Sequence, residues 1–151
     1  MIRALFLIPG TPAPLGGMAF PTEETDWQAL RREGFDLVVR LHEAEYDPSP
    51  LVAHDVALED LYGGAAPGDA VAEERRVWQA ARLVADGVSR GRGVIVHCFG
   101  GTGRTGTVLA CALRLLGRTP DEAIAAVQVH RPEWPESPWQ EQVVRSEPGL
   151  P

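Results

Sequence analysis

Lysine is absent from this chain. All 14 basic residues are arginine, set against 21 acidic ones, and the formal net charge is −7. Such a balance offers no general attraction to nucleic acid or to an anionic membrane, and neither is expected as a partner. Complete loss of lysine beside abundant Ala, Gly and Pro reads as a coding bias rather than a functional device. Cysteine is scarce as well: only Cys98 and Cys111 are present, which excludes a disulfide-stapled secreted scaffold. Long apolar runs are missing. The N-terminal stretch Met1–Ile8 stops at Pro9-Gly10, too short for a signal segment with its cleavage site, and reads as a first strand. Nothing approaches the roughly 20 apolar residues of a membrane span. A cytoplasmic protein is therefore expected, in a compartment that keeps a thiol reduced.

What remains is ordinary globular material. At 151 residues, 44% hydrophobic and 23% charged, one domain over residues 1–151 is the natural division, and folding would bury roughly 70% of the extended chain's surface. No internal repeat or low-complexity segment interrupts it.

One stretch organises the rest: Val94-Ile-Val-His97-Cys98-Phe-Gly-Gly-Thr-Gly-Arg104-Thr105-Gly106. Val94–Val96 suit a buried strand. The pattern from Thr105 onward is helical, with Gly117 placed as its stop. Between strand and helix lies a short loop holding a cysteine, three glycines and an arginine. Glycines let successive N–H groups turn toward one anion, and the following helix adds its own free N–H groups and positive dipole end. Helix N-termini and neighbouring arginines stabilise thiolates, which makes Cys98 a candidate nucleophile. Arg104 carries a planar fork matched to two phosphate or sulfate oxygens. Nucleophile, N–H cradle and cation converge on a tetrahedral anion.

Around this stretch the pattern alternates helices and strands. A Pro/Gly-rich segment over residues 9–21 reads as a packed surface loop. Thr22 is a candidate N-cap for a helix to about Glu33, followed by a strand over Phe35–Leu41. A weak strand over Leu51–Leu58 leads to a turn-rich segment from Glu59 to Gly68, and a long helix covers about Asp69–Ser89. Thr119-Pro-Asp-Glu122 is a capping box opening a helix to about Val129, and Ser137-Pro-Trp-Gln140 is a second one opening the last helix. The fold class expected is α/β: a central mixed sheet of about four or five strands flanked by helices, with the site at the C-terminal end of the strand that ends in His97.

The element His97-Cys98-(five residues)-Arg104-Thr105 resembles the signature of the cysteine-dependent protein tyrosine phosphatases. In its fuller form it is similar to that of the small dual-specificity branch. The order helix, then Gly34-Phe35-x-x-Val38-Val39-x-Leu41, and the later Arg131-Pro132 with Gln140, resemble the same family. The resemblance is specific over residues 94 to about 142, looser over 22–93 and weak before that. It implies a protein tyrosine phosphatase-like domain that hydrolyses phosphomonoesters through a phosphocysteine intermediate, without metal or organic cofactor, and a monomer is expected. By this resemblance Cys98 attacks phosphorus. The N–H groups of Phe99, Gly100, Gly101, Thr102, Gly103 and Arg104 hold the phosphoryl oxygens together with the Arg104 side chain. Thr105 hydrogen-bonds the Cys98 sulfur, and His97 steadies the loop and lowers the Cys98 pKa. The general acid on the upstream loop is assigned to Asp60, with Asp69 and Asp55 as alternatives and Glu59 able to substitute; the interval from Asp60 to Cys98 is longer than the family's usual one.

Other readings of the same residues stay in view. Gly101-x-Gly103-x-x-Gly106 also satisfies a dinucleotide-binding fingerprint, but the helices that follow do not suit it. Cys111, mid-helix among Leu109, Ala110, Ala112 and Leu113, reads as core, with a protective disulfide to Cys98 as the alternative. By the same resemblance the substrate expected is a phosphoprotein, at Tyr and also Ser/Thr; the loop carries no extra cation of the kind that polyphosphorylated lipids call for. A small phosphorylated metabolite and a phosphate-binding pseudophosphatase without turnover are the alternatives. Tyr62, Trp134 and Trp139 are candidates to line a pocket for an aromatic ring.

Overall fold

The β-branched runs pair into one five-stranded sheet in the computed structural model, which describes residues 5–148. The strands are β1 (Phe6–Leu7), β2 (Leu15–Met18), β3 (Phe35–Arg40), β4 (Val52–Asp55) and β5 (Gly93–His97), in the order β1-β2-β5-β3-β4. β1 runs antiparallel to β2 and every other pairing is parallel, so the sheet is mixed, as expected. Five helices flank it: α1 (Trp27–Arg32), α2 (Ala70–Ser89), α3 (Gly103–Leu115), α4 (Pro120–Gln128) and α5 (Pro138–Arg145). The start of the expected first strand, residues 1–4, lies outside the described residues.

Strand alternation divides the core in two. Leu37 and Val39 of β3 and Val94 and Val96 of β5 face one way, where they join Val77, Trp78, Val84, Leu109, Val127 and Val143 from α2 to α5. Val38 and Ile95 face the other way with Phe35 and Met18, covered by Trp27 and Leu30 of α1. This is the two-residue period of a sheet buried on both sides. Continued by one step, it sends His97 to the α1 side and Cys98 to the side of the four helices.

Three local expectations change. Leu15-Gly-Gly-Met is a strand rather than a loop, because it pairs with β1 on one edge and β5 on the other. The first helix begins later than expected: Asp26, not Thr22, is its N-cap and accepts from the Ala29 N–H at 2.9 Å. Thr22 and Thr25 instead close a preceding turn. At α5 the Ser137 hydroxyl caps Trp139, but the Gln140 side chain reaches back to the N–H of Glu136 at 2.8 Å, one residue beyond a capping box. The box at Thr119 and Glu122 forms in both directions, and Asp69 caps α2 through the Ala72 N–H.

Candidate active site

β5 is the middle strand, buried along its whole length, and it delivers the loop 98–102 to the C-terminal edge of the parallel strands. The loop turns at Gly101, whose φ is +76°; a Cβ there would stand 2.6 Å from the Ala19 nitrogen and 2.7 Å from the Met18 carbonyl carbon. Only glycine fits that approach. The Gly101 N–H donates to Cys98 Sγ at 3.3 Å, while Arg131 Nε holds the Gly101 carbonyl from the other side at 3.0 Å. Thr105 Oγ1, one turn into α3, donates to the same sulfur at 3.1 Å. Two donors therefore stand on Sγ.

α3 itself is pressed close to the Trp134 indole at Gly106, where a Cβ would lie 2.7 Å from the ring. The indole N–H donates to Thr107 Oγ1 at 3.1 Å, and that hydroxyl donates to the Gly103 carbonyl at 2.7 Å. Side chains cap the N-termini of α1, α2, α4 and α5, whereas Thr102 makes no capping hydrogen bond to α3. The first turn of α3 thus keeps its N–H groups for the pocket in front of it, where the helix dipole favours an anion.

That pocket, about 360 Å³, is lined by Cys98, Phe99, Gly100, Thr102, Gly103 and Arg104 from the loop and by Asp60, Leu61, Gly63 and Glu136 from elsewhere. Of the loop residues expected around a phosphoryl group, Gly101 alone does not line it, its N–H being spent on the sulfur. The Arg104 side chain is 7% exposed and held on three sides. Nη2 pairs with Asp60 Oδ2 at 3.4 Å. Nη1 donates to His42 Nδ1 at 3.2 Å and to the Leu58 carbonyl at 3.4 Å.

The segment carrying Asp60 is anchored despite its length. The Leu58 N–H bonds the Leu41 carbonyl at 3.0 Å, and the Glu59 N–H donates to Glu73 Oε2 on α2 at 2.6 Å. Glu73, buried, is matched by Arg76 at 2.8 Å. Farther along, the Ser137 hydroxyl donates to the Ala65 carbonyl at 2.8 Å. Asp60 is thereby placed at the mouth of the pocket. Asp69 is occupied as a helix cap, and Asp55 lies on β4 bonded to Arg40 (Nη2 to Oδ2, 2.9 Å), which holds its carboxyl below the usual carboxylate range.

His97 sits behind the loop, fully buried. Its Nδ1 lies 3.0 Å from the Cys98 carbonyl, which can only accept, so Nδ1 carries the proton; Nε2 then accepts from the Tyr46 hydroxyl at 2.6 Å. Burial pushes the imidazole down to about 4, so the ring is neutral at ordinary pH. It hydrogen-bonds the loop's backbone but brings no positive charge to the sulfur. Burial likewise pushes the Tyr46 phenol up, and that ring stacks on Trp27 at 5.4 Å under the Arg40 guanidinium.

Cys111 is a core residue, fully buried and free, its thiol pushed up by burial. Trp134 is buried beneath α3, and Trp139 packs against the main core. Neither lines the pocket, and the Tyr62 side chain lies outside the described ones. Sequence reading missed His42, Tyr46 and Glu136. The first two follow β3 in a polar, Pro-containing stretch that carries no motif, and Glu136 follows a cis Trp134-Pro135 bond. Among the described residues no cluster of three or more His, Cys, Asp and Glu side chains is placed to hold a metal, and no helix is long and apolar enough to cross a membrane.

A mostly parallel sheet with a cysteine loop and an uncapped helix at its centre is the protein tyrosine phosphatase-like fold. Solved structures share it: Tk-PTP in its active form aligns with TM-score 0.67 and 25% identity over 93% of both chains. Kinase associated phosphatase (KAP) aligns with TM-score 0.69 and 15% identity over 95% of this chain and 93% of that one. TpbA of P. aeruginosa does so with TM-score 0.66 and 18% identity, over 95% and 88%. Among curated proteins, "Putative tyrosine phosphatase 067L" of Invertebrate iridescent virus 3 is 33% identical over 79 residues. That match spans 44% of this chain and a third (33%) of the relative's length. The chain belongs to the Tc-R-P family, described as "Polymorphic toxin system, DSP-PTPase phosphatase", whose model matches residues 16–118.

Proposed function

We propose that this chain is a cysteine-dependent phosphomonoester hydrolase acting on phosphotyrosine, and also on phosphorylated Ser/Thr, in proteins. The observation that carries the reading is the opening of Cys98, the Arg104 guanidinium and the Asp60 carboxyl onto one pocket. In the first step the Cys98 thiolate attacks phosphorus in line. The bond from phosphorus to the ester oxygen breaks as Asp60 gives that oxygen its proton. Arg104 and the N–H groups of Phe99, Gly100, Thr102, Gly103 and Arg104 carry the charge on the equatorial oxygens. In the second step water attacks the phosphocysteine, its proton returns to Asp60, and the sulfur leaves with the Thr105 and Gly101 donors on it. His97 holds the loop from behind.

Residues 1–151 act as one catalytic domain in this reading, supported by the single sheet that all the described strands join. They act as a monomer in this reading. The two free cysteines fit a reducing cytoplasm. The test is hydrolysis of p-nitrophenyl phosphate with chelator present throughout. Wild type turns over, and Cys98→Ser and Arg104→Ala each lose activity by several orders of magnitude. Substantial turnover by Cys98→Ser would overturn the thiolate mechanism.

A further inference from the structure

The loop chemistry asks for a backbone N–H at position 99 and makes no demand on the side chain, yet the residue there is phenylalanine. The residue is 64% exposed, the one aromatic among the large hydrophobic residues that the described part of the chain leaves in solvent. It lines the pocket beside Cys98 and Arg104.

The ring is also held in place. The Phe20 N–H donates to the Phe99 carbonyl at 2.9 Å. The Phe99 ring lies 5.6 Å from His42 and 6.4 Å from Phe20, and Phe20 meets His42 edge-on at 5.9 Å. His42 is fixed in turn by the hydrogen bond that Arg104 Nη1 donates to its Nδ1, 3.2 Å. Phe99 is thus the solvent-facing front of a ring cluster tied to the guanidinium that would hold the phosphoryl group. The lining residues outside the loop, Asp60, Leu61, Gly63 and Glu136, carry no ring.

We infer that Phe99 is a specificity-determining residue, its ring ranking aryl phosphomonoesters above alkyl ones; this rests on the phosphatase reading above. An aryl group leaving the pocket can lie against Phe99, removing apolar surface of both from water and adding a ring–ring contact. A seryl methylene offers no face for that contact.

The experiment compares kcat/KM for a phosphotyrosyl peptide, the same peptide carrying phosphoserine, and free O-phosphotyrosine, in wild type, Phe99→Ala and Phe99→Tyr. Substitution at 99 could disturb the loop and slow both esters together, so the readout is the ratio of phosphotyrosyl to phosphoseryl peptide. That ratio falls roughly three- to tenfold in Phe99→Ala and is kept in Phe99→Tyr. An unchanged ratio in Phe99→Ala, with wild type active, overturns the role of Phe99 and leaves the phosphatase reading standing. Wild type inactive on every ester overturns both. Given the fall in the ratio, equal rates on free phosphotyrosine and on the peptide identify a small aryl phosphate as substrate, and a preference for the peptide identifies a phosphoprotein.

Discussion

Lowering the pH from 7 toward 4.5 perturbs one buried group before the others. His97 is fully buried and neutral, with its imidazole pushed down to about 4 from an ordinary value of 6.5. Between those values the unfolded chain takes up a proton at this residue that the folded chain refuses, so stability falls as pH falls. The contribution is fully present above pH 6.5 and lost as pH drops toward 4. Each pH unit inside the window is worth about 1.4 kcal/mol, and the whole window on the order of 3 kcal/mol. From pH 6.5 to 5 the loss is roughly 2 kcal/mol, or about 4–8 °C in Tm for a domain of this size. Asp55, whose carboxyl Arg40 holds below its ordinary value of 3.8, has the same folded-state preference, refusing a proton that the unfolded chain takes up. Its stabilisation is lost only as pH falls through and below the carboxylate range, under the window used here. The assay is urea unfolding at half-unit pH steps for wild type and His97→Asn. The variant keeps a donor for the Cys98 carbonyl but strands the Tyr46 hydroxyl, costing about 1–3 kcal/mol at pH 7, and its stability no longer slopes between pH 6.5 and 5. A flat wild-type curve across that interval, or the same slope in the variant, would refute the assignment of a buried neutral imidazole.

Two further outcomes follow from the geometry. Asp60→Asn lowers kcat on a phosphotyrosyl peptide by about 10²–10⁴-fold and much less on p-nitrophenyl phosphate, whose leaving group needs little protonation; equal losses on both would move the acid elsewhere. Gly106→Ala drives a methyl to 2.7 Å from the Trp134 ring and destabilises the fold by about 1–3 kcal/mol, seen as a lower urea midpoint; a wild-type midpoint would show that Trp134 yields freely.

Much of the site was legible because it is local. A strand, a glycine loop, a cysteine and an arginine within 13 residues leave few ways to fold, and Cys98, Thr105 and Arg104 meet within that stretch. What the sequence hid depends on partners far along the chain. Leu15-Gly-Gly-Met has poor strand propensity and becomes β2 only because β1 and β5 offer hydrogen bonds on both edges. Thr22 and Asp26 both have cap chemistry, and the choice fell to Asp26 because Trp27 and Leu30 pack from there onto the smaller core. The Asp60 loop looked loose by its length, yet Glu73 and Ser137, respectively 14 and 72 residues from the groups they hold, anchor it. His42 and Tyr46 gain their places through Arg104 and His97, contacts spanning 62 and 51 residues.

The Asp60–Arg104 pair has a consequence for how the pocket fills and empties. The guanidinium is never bare: at rest a carboxylate and two neutral acceptors already occupy it. In the proposed reading an arriving phosphoryl group exchanges one anion for another, and its electrostatic gain is the difference between them, not the full attraction of a buried cation. In that reading, departure of inorganic phosphate is the same exchange run backward and returns Arg104 to its contact with Asp60. On the proposed function, a cation that keeps its own understudy gains less from any anion it takes up, inorganic phosphate included.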